Sequence, residues 1–153
     1  MTDDEIHVRE TEEGRREVLD PVRRRWVALT PEEWVRQQTI MMLHNRCKYP
    51  LECMQVEGTI GLGSLTRRCD IVVYGSSGTP LMIVECKEPG VKITQKVCDQ
   101  ACRYNTALHV PCLLLTNGNK IIVLRVDFAN GRLIQLDNIP SKEELEMLKN
   151  EQK

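Results

Sequence analysis

Apolar and polar residues change their spacing several times along this chain, and each change marks an element. Residues 1 to about 17 are polar and follow no period, the composition of a mobile arm. From Val18 to Leu29 apolar and basic residues alternate, as in a strand at a sheet edge. In "TPEEWVRQQTIMMLHNR", Thr30 is placed to cap a helix, Pro31 takes the first helical position, and Glu33 stands three residues after the cap, as in a capping box. Trp34, Ile40, Met41 and Leu43 then recur at helical spacing, and the helix should end near Cys47-Lys48.

Beyond it the period shortens. Residues 51–60 (LECMQVEGTI) read as a strand and "GLGS" as a turn, while Arg67–Tyr74 and Leu81–Cys86 form a hairpin around Gly75-Ser76-Ser77-Gly78. Thr94 caps a second helix, "QKVCDQACRYNTAL", whose Val97, Ala101, Tyr104 and Leu108 make the stripe of a helix lying on a sheet. "PCLLLTNG" and "KIIVLRVD" are strands joined at Asn117-Gly118, "RLIQL" is a short last strand, and Ser141 with Glu144 caps a C-terminal helix. No segment repeats. The order helix, three strands, helix, two or three strands holds one strand–helix–strand crossover. It predicts an α/β chain of the mixed kind, with helices against a mixed sheet in one domain over residues 18–153.

Composition narrows the functions. A chain of 153 residues with 41% hydrophobic and 28% charged residues suits one soluble domain. The net charge of −1 leaves nucleic-acid contact to local clusters: Arg15-Arg16, Arg23-Arg24-Arg25 and Arg67-Arg68. A solvated face is the competing reading of each. The seven cysteines are odd in number and contain no CxxC pair. Cys98 and Cys102 share a helix face but lack a second pair. Neither a zinc site nor a disulfide framework fits, so we read the thiols as small buried hydrophobes in a reducing cytoplasm. No signal-peptide core and no membrane-length apolar run is present, which implies a cytoplasmic chain with no membrane partner. Neither GxGxxG nor GxxxxGK[ST] occurs, so no ATP site of that kind is expected. His7, His44 and His109 show no useful mutual spacing.

The chemistry gathers in "IVVYGSSGTPLMIVECKEP", residues 71–89, preceded by Asp70. Leu81–Val84 is apolar enough to be buried on both faces, yet the strand finishes in Glu85-Cys86-Lys87. Alternation sends Glu85 and Lys87 to one face and Cys86 to the other. A turn centred on residues 75–78 sets Asp70 across from residue 84 or 85, and the second register puts the two carboxylates side by side. Their repulsion becomes favourable with a divalent cation between them, and Mg²⁺ often takes only one or two carboxylates plus phosphate and water. The plain alternative is an ion pair of Glu85 with Lys87 and no metal.

Asp70 with Glu85-Cys86-Lys87 resembles the PD-(D/E)xK nuclease signature. "LTPEEWVRQ", "RRCDIVVY", "LMIVECKEP", "DQACRYN" and "LLLTNG", in that order over residues 20–126, resemble the N-terminal nuclease domain of the type I restriction enzyme R subunit. The resemblance implies a restriction-endonuclease-like fold with an αβββαβ core and a Mg²⁺-dependent DNA endonuclease, with Mn²⁺ as a possible substitute. It implies Asp70, Glu85 and the Cys86 backbone carbonyl as metal ligands and Lys87 as the assistant of the attacking water. Gln100 and Tyr104 match the family's QxxxY element and would touch DNA. Arg67 and Arg68 could hold phosphate. The glutamate of the first helix matches Glu33 better, with Glu32 the spare. Cys69 stands where the signature has proline. Expected partners are DNA and the motor or specificity subunits of a restriction system. Two other readings compete: an inactive nuclease fold kept for nucleic-acid binding or assembly, and a repair or junction nuclease.

Overall fold

The computed structural model describes residues 5–61, 64 and 66–151, apart from the side chains of Arg67, Tyr104, Thr106, Ala107 and Leu108. The chain opens with three antiparallel strands, β1 (Val8–Glu10), β2 (Arg16–Asp20) and β3 (Arg25–Ala28). Residues 8–17, expected in a mobile arm, are therefore paired from Val8 onward, with Val8 opposite Val18. Alternation missed this strand because β1 is exposed along its whole length and two of its three residues are charged and pair with charged partners. Arg9 bonds Glu17 at 2.8 Å and stacks 4.2 Å over Trp26.

Helix α1 (Pro31–Asn45) starts where the capping residues indicated, with Thr30 Oγ1 accepting from the Glu33 N–H at 3.0 Å. Its inner face differs from expectation. Trp34 is exposed, and the buried positions are Val35, Ile40, Met41 and Leu43 together with Glu33, Arg36 and Gln37. The N-terminal half of this face is charged, which hides it from any hydrophobic periodicity.

The expected strand over 51–60 is broken into a 3₁₀ turn, Leu51–Cys53, then β4 (Met54–Val56) and β5 (Thr59–Ile60). The break falls at Glu57, whose φ of 54° lies in the left-handed region that strands exclude. Opposite it, the expected strand 67–74 divides at Asp70 into β6 (Arg67–Arg68) and β7 (Ile71–Tyr74). Residues 62 and 63, the middle of the expected "GLGS" turn, lie outside the described residues.

The remaining elements follow the sequence reading closely: β8 (Pro80–Cys86), α2 (Gln95–Leu108), β9 (Cys112–Thr116), β10 (Ile121–Asp127), β11 (Arg132–Leu136) and α3 (Lys142–Glu151). They complete a six-stranded mixed sheet in the order β11-β10-β9-β8-β7-β4, with β8 and β9 parallel across the α2 crossover. On one face Ile71, Val73, Met82, Val84 and Leu114 pack under Val35, Ile40 and Leu43 of α1. On the other, Val72, Ile83, Leu113 and Leu115 pack under Cys98 and Ala101 of α2. Leu81–Val84 is buried from both sides, as its unbroken apolar run requires. Each such side chain contributes about 1.5–3 kcal/mol. This is the restriction-endonuclease-like arrangement, and it fixes the strand ends on which the site is built.

Candidate active site

The β7–β8 register decides the question that sequence left open. Ile71 pairs with Val84 and Val72 with Ile83, so the same antiparallel register carried one step further sets Asp70 across from Glu85. Glu85 and Lys87 share the parity of Ile83 and so belong to the α2 face, while Asp70, at the bend just before β7, is reached by Arg36 from α1. Glu85 and Lys87 are half-buried, and Lys87 hangs on β9 through its N–H to the Thr116 carbonyl at 2.8 Å.

Asp70 sits at the bend between β6 and β7, where its carbonyl accepts from the Glu57 N–H at 2.9 Å and its carboxylate is gripped separately. Oδ2 accepts from the Cys86 N–H at 2.8 Å and Oδ1 from Arg36 Nη2 at 2.9 Å. A strand residue sends its N–H and C=O toward the same side, so the Cys86 carbonyl faces the side on which Asp70 stands. The Cys86 side chain goes the other way, into the α1 layer, where burial first and the Asp70 charge second push its thiol up to about 12. As a thiolate source Cys86 is inert.

Arg36 was not expected. It is 6% exposed and also donates to Glu33 at 2.9 Å, and Glu33 in turn accepts from Arg23 at 2.6 Å and from Gln37 at 3.2 Å. Arg23 is bound by Asp20 at 2.7 Å, and Gln37 reaches the same Asp20 oxygen at 3.0 Å. Glu57 closes the group, receiving Arg68 at 2.9 Å and lying within 3.5 Å of both Arg23 and Arg36. Burial acts to raise the Glu57 carboxyl, but Arg36, Arg68 and Arg23 together hold it below the usual range. Three acidic side chains, Asp20, Glu33 and Glu57, and three basic ones, Arg23, Arg36 and Arg68, thus run up to Asp70.

The two first-helix glutamates are now distinguishable. Both Glu33 oxygens are taken by Arg23, Arg36 and Gln37, away from the Asp70–Glu85 strand ends. Glu32, one residue earlier, is exposed and stands beside Asp70. Desolvation first, then the Asp70 charge, raises its carboxyl above the usual range, against the opposing pull of Arg36 and Lys87. The spare candidate is the one facing the site. The signal was present at i, i+3 and i+4: Glu33, Arg36 and Gln37 share a face, and a helix puts Glu32 about 100° away from it.

Gln100 lies exposed on α2, the helix covering the same face, and Tyr104 follows one turn on, its side chain outside the described residues. Arg68 is 69% exposed at its side chain and bound to Glu57, and the Arg67 side chain is likewise outside the description. Among the described residues no group of three His, Cys, Asp or Glu side chains converges as a ready-made metal cage.

Comparison with known proteins gives the family. A family model, the type I restriction enzyme R protein N terminus (HSDR_N), matches residues 31–140. The chain belongs to that family. This R-protein N-terminal domain is 32% identical over 94 residues to the type I restriction enzyme EcoAI endonuclease subunit of Escherichia coli, a match covering 59% of this chain and 12% of that subunit. A solved fragment described as an HsdR subunit of a type I restriction enzyme from Vibrio vulnificus superposes with a TM-score of 0.52. Its identity is 18%, over 78% of this chain and 25% of that one. A DUF820 protein from Anabaena variabilis reaches only 0.48 at 13% identity, too slight a likeness to argue from. The domain thus spans a small part of each type I relative, and it contains, among the described residues, no helix long and apolar enough to cross a membrane.

Proposed function

We propose that this domain hydrolyses phosphodiester bonds of DNA at the Asp70–Glu85–Lys87 strand ends, with Mg²⁺ or Mn²⁺ as cofactor. The observation that supports the reading is the Ile71–Val84 register, which extended by one step sets Asp70 opposite Glu85, with Lys87 on the face of Glu85, in a member of the R-protein N-terminal family.

The donor set fits a hard cation. Two carboxylates and a backbone carbonyl, short of a full cage, leave positions for water and substrate phosphate, the usual way in which Mg²⁺ is held. The Glu32 carboxyl beside Asp70 is raised by desolvation first and by the Asp70 charge second, so acidic groups neighbour the site. Asp70, Glu85 and the Cys86 carbonyl would be the ligands, and a cation bound to them supplies Lewis acidity toward phosphate and an activated water. Lys87 keeps a positive charge beside the phosphate as its charge grows, and orients the water by hydrogen bonding. Glu32, more readily protonated than an ordinary glutamate, can hold or pass a proton there, a role that Glu33 is too committed to fill. Gln100 and Tyr104 on α2, with Arg67 and Arg68 on β6, offer contacts to the strand being cut. With a net charge of −1 the domain binds DNA weakly by itself. Motor and specificity subunits of a restriction system are the partners that would bring DNA to it.

The test is cleavage of linear, nicked and branched DNA with Mg²⁺ or Mn²⁺. Metal-dependent products are expected from wild type. Glu85→Gln and Lys87→Ala should each lose on the order of 100-fold or more in rate. DNA binding without cleavage in either metal would overturn the proposal in favour of an inactive binding module, and cleavage confined to branched DNA in favour of a junction nuclease.

A further inference from the structure

We infer that Arg36 is the positioning residue of Asp70, and that the buried chain Asp20–Arg23–Glu33–Arg36 exists to hold one carboxylate in the pose that takes a divalent cation. The inference rests on the metal-site reading above and adds a residue to it. Three observations carry it.

First, the backbone fixes the Asp70 carbonyl, which accepts from the Glu57 N–H at 2.9 Å, but leaves its side chain unfixed. The strand breaks there, and its neighbour across the break, Glu57, is in the left-handed region at φ 54°. A carboxylate at such a bend has free torsions unless side chains or amides fix both oxygens. Here Cys86 N–H takes one at 2.8 Å and Arg36 the other at 2.9 Å.

Second, Arg36 is itself immobilised, as a positioning group must be. Its Nη1 is bound to Glu33, whose carboxylate is fixed from the far side by Arg23 and Gln37, both on Asp20. Asp20 is fully buried and its Oδ1 also accepts from the Val22 and Arg23 amides at 2.7 and 2.8 Å. A rigid path therefore runs from a β-turn in the N-terminal sheet to the strand end.

Third, the arrangement is a poor way to make stability. Burying charges costs several kcal/mol per ion before pairing offsets it, and packed apolar residues commonly do as well. Arg36 even leaves its buried Nε without a hydrogen-bond partner, a further cost to stability. A guanidinium aimed at Asp70 and anchored from behind gains its purpose if the orientation of Asp70 matters. Its planar fork bridges Glu33 and Asp70 at once, and a lysine offers only a point charge. Arg36 reaches the cation only through Asp70, so it acts by positioning and takes no part in the chemistry.

The experiment compares wild type, Arg36→Lys and Glu33→Gln in Mn²⁺ calorimetry, in metal-induced rise of Tm, and in steady-state cleavage. Lys keeps the charge at 36 and Gln keeps the size at 33, so the two variants perturb the grip in different ways. Loss of a group that orients a metal ligand typically weakens affinity or activity about 10–100-fold. We expect Mn²⁺ affinity and kcat to fall within that range in Arg36→Lys and by a smaller factor in Glu33→Gln. KM for DNA should stay within about twofold. A residue serving stability alone would lower Tm and leave Mn²⁺ affinity of the folded protein unchanged, and that result in both variants overturns the inference while the metal site stands. Wild type that binds no Mn²⁺ overturns the metal reading and this inference with it.

Discussion

Asp70 accepts one hydrogen bond from a buried guanidinium and one from a backbone amide, and this changes what its removal should do. From the sequence the sign is open: an empty metal site makes Asp70→Asn relieve repulsion and raise Tm, whereas a structural pairing with Lys87 or Arg68 makes it lower Tm. With Arg36 as an internal counter-charge the second sign is expected. Asn forfeits a charge-assisted bond and leaves Arg36, 7% exposed at its side chain, short of a partner. Metal-free Asp70→Asn should lose about 1–3 kcal/mol by thermal or denaturant unfolding, and an unchanged or raised Tm would show that the Arg36 bond contributes nothing. Glu32 gives a pH prediction. Its carboxyl keeps its proton to a higher pH in the folded state than the ordinary 4.5. Between those values the folded protein holds the more protons, so stability falls as pH rises through the window. Glu32→Gln should remove that fall and raise Tm at neutral pH without metal. Glu57 is lowered, so its contribution is present above 4.5 and lost as the pH drops through its folded value. Glu57→Gln should flatten the acid limb instead. A Tm–pH profile of each variant separates the two.

Among the elements, those with local chemical signatures were legible. Thr30, Thr94 and Ser141 each accept an amide three residues on, at 3.0, 3.3 and 3.1 Å, where the capping patterns put them. The Gly75–Gly78 hairpin and the Asn117-Gly118 turn also formed, with φ of 79° at Gly78 and 89° at Gly118, conformations that favour glycine. What stayed hidden lacked a hydrophobic period. β1 is held by Arg9, Glu17 and Trp26, and the inner face of α1 is charged through Glu33, Arg36 and Gln37. Sequence spacing shows that residues share a face but not whether that face is buried, so Arg36 carries no signal there and Glu33 reads as the better match to the first-helix glutamate. The end of α2 is another polar device of this kind. Asn105, 1% exposed, donates to the Val110 carbonyl at 2.6 Å and accepts from the Val110 amide at 2.9 Å, pinning the turn into β9 around the left-handed His109. Asn105→Ala should cost about 1–3 kcal/mol, read by denaturant unfolding, because it strands buried backbone groups. A change below about 0.5 kcal/mol would show that the turn is held by packing instead.

At the scale of the molecule, the sheet order sets the end of β8 between those of β7 and β9, and the N-terminal turn of the small sheet reaches Asp70 through Arg23, Glu33 and Arg36. The sequence could place Asp70 opposite residue 84 or 85, and only the coordinates chose between them. Everything proposed for this domain follows from that choice, so the direct test is a crystal grown with Mn²⁺ and measured for anomalous scattering. The account predicts an ion between the Asp70 and Glu85 carboxylates with oxygen ligands that include the Cys86 carbonyl. Well-ordered carboxylates with no ion between them at millimolar Mn²⁺, and Arg36 still seated on Asp70, would contradict it.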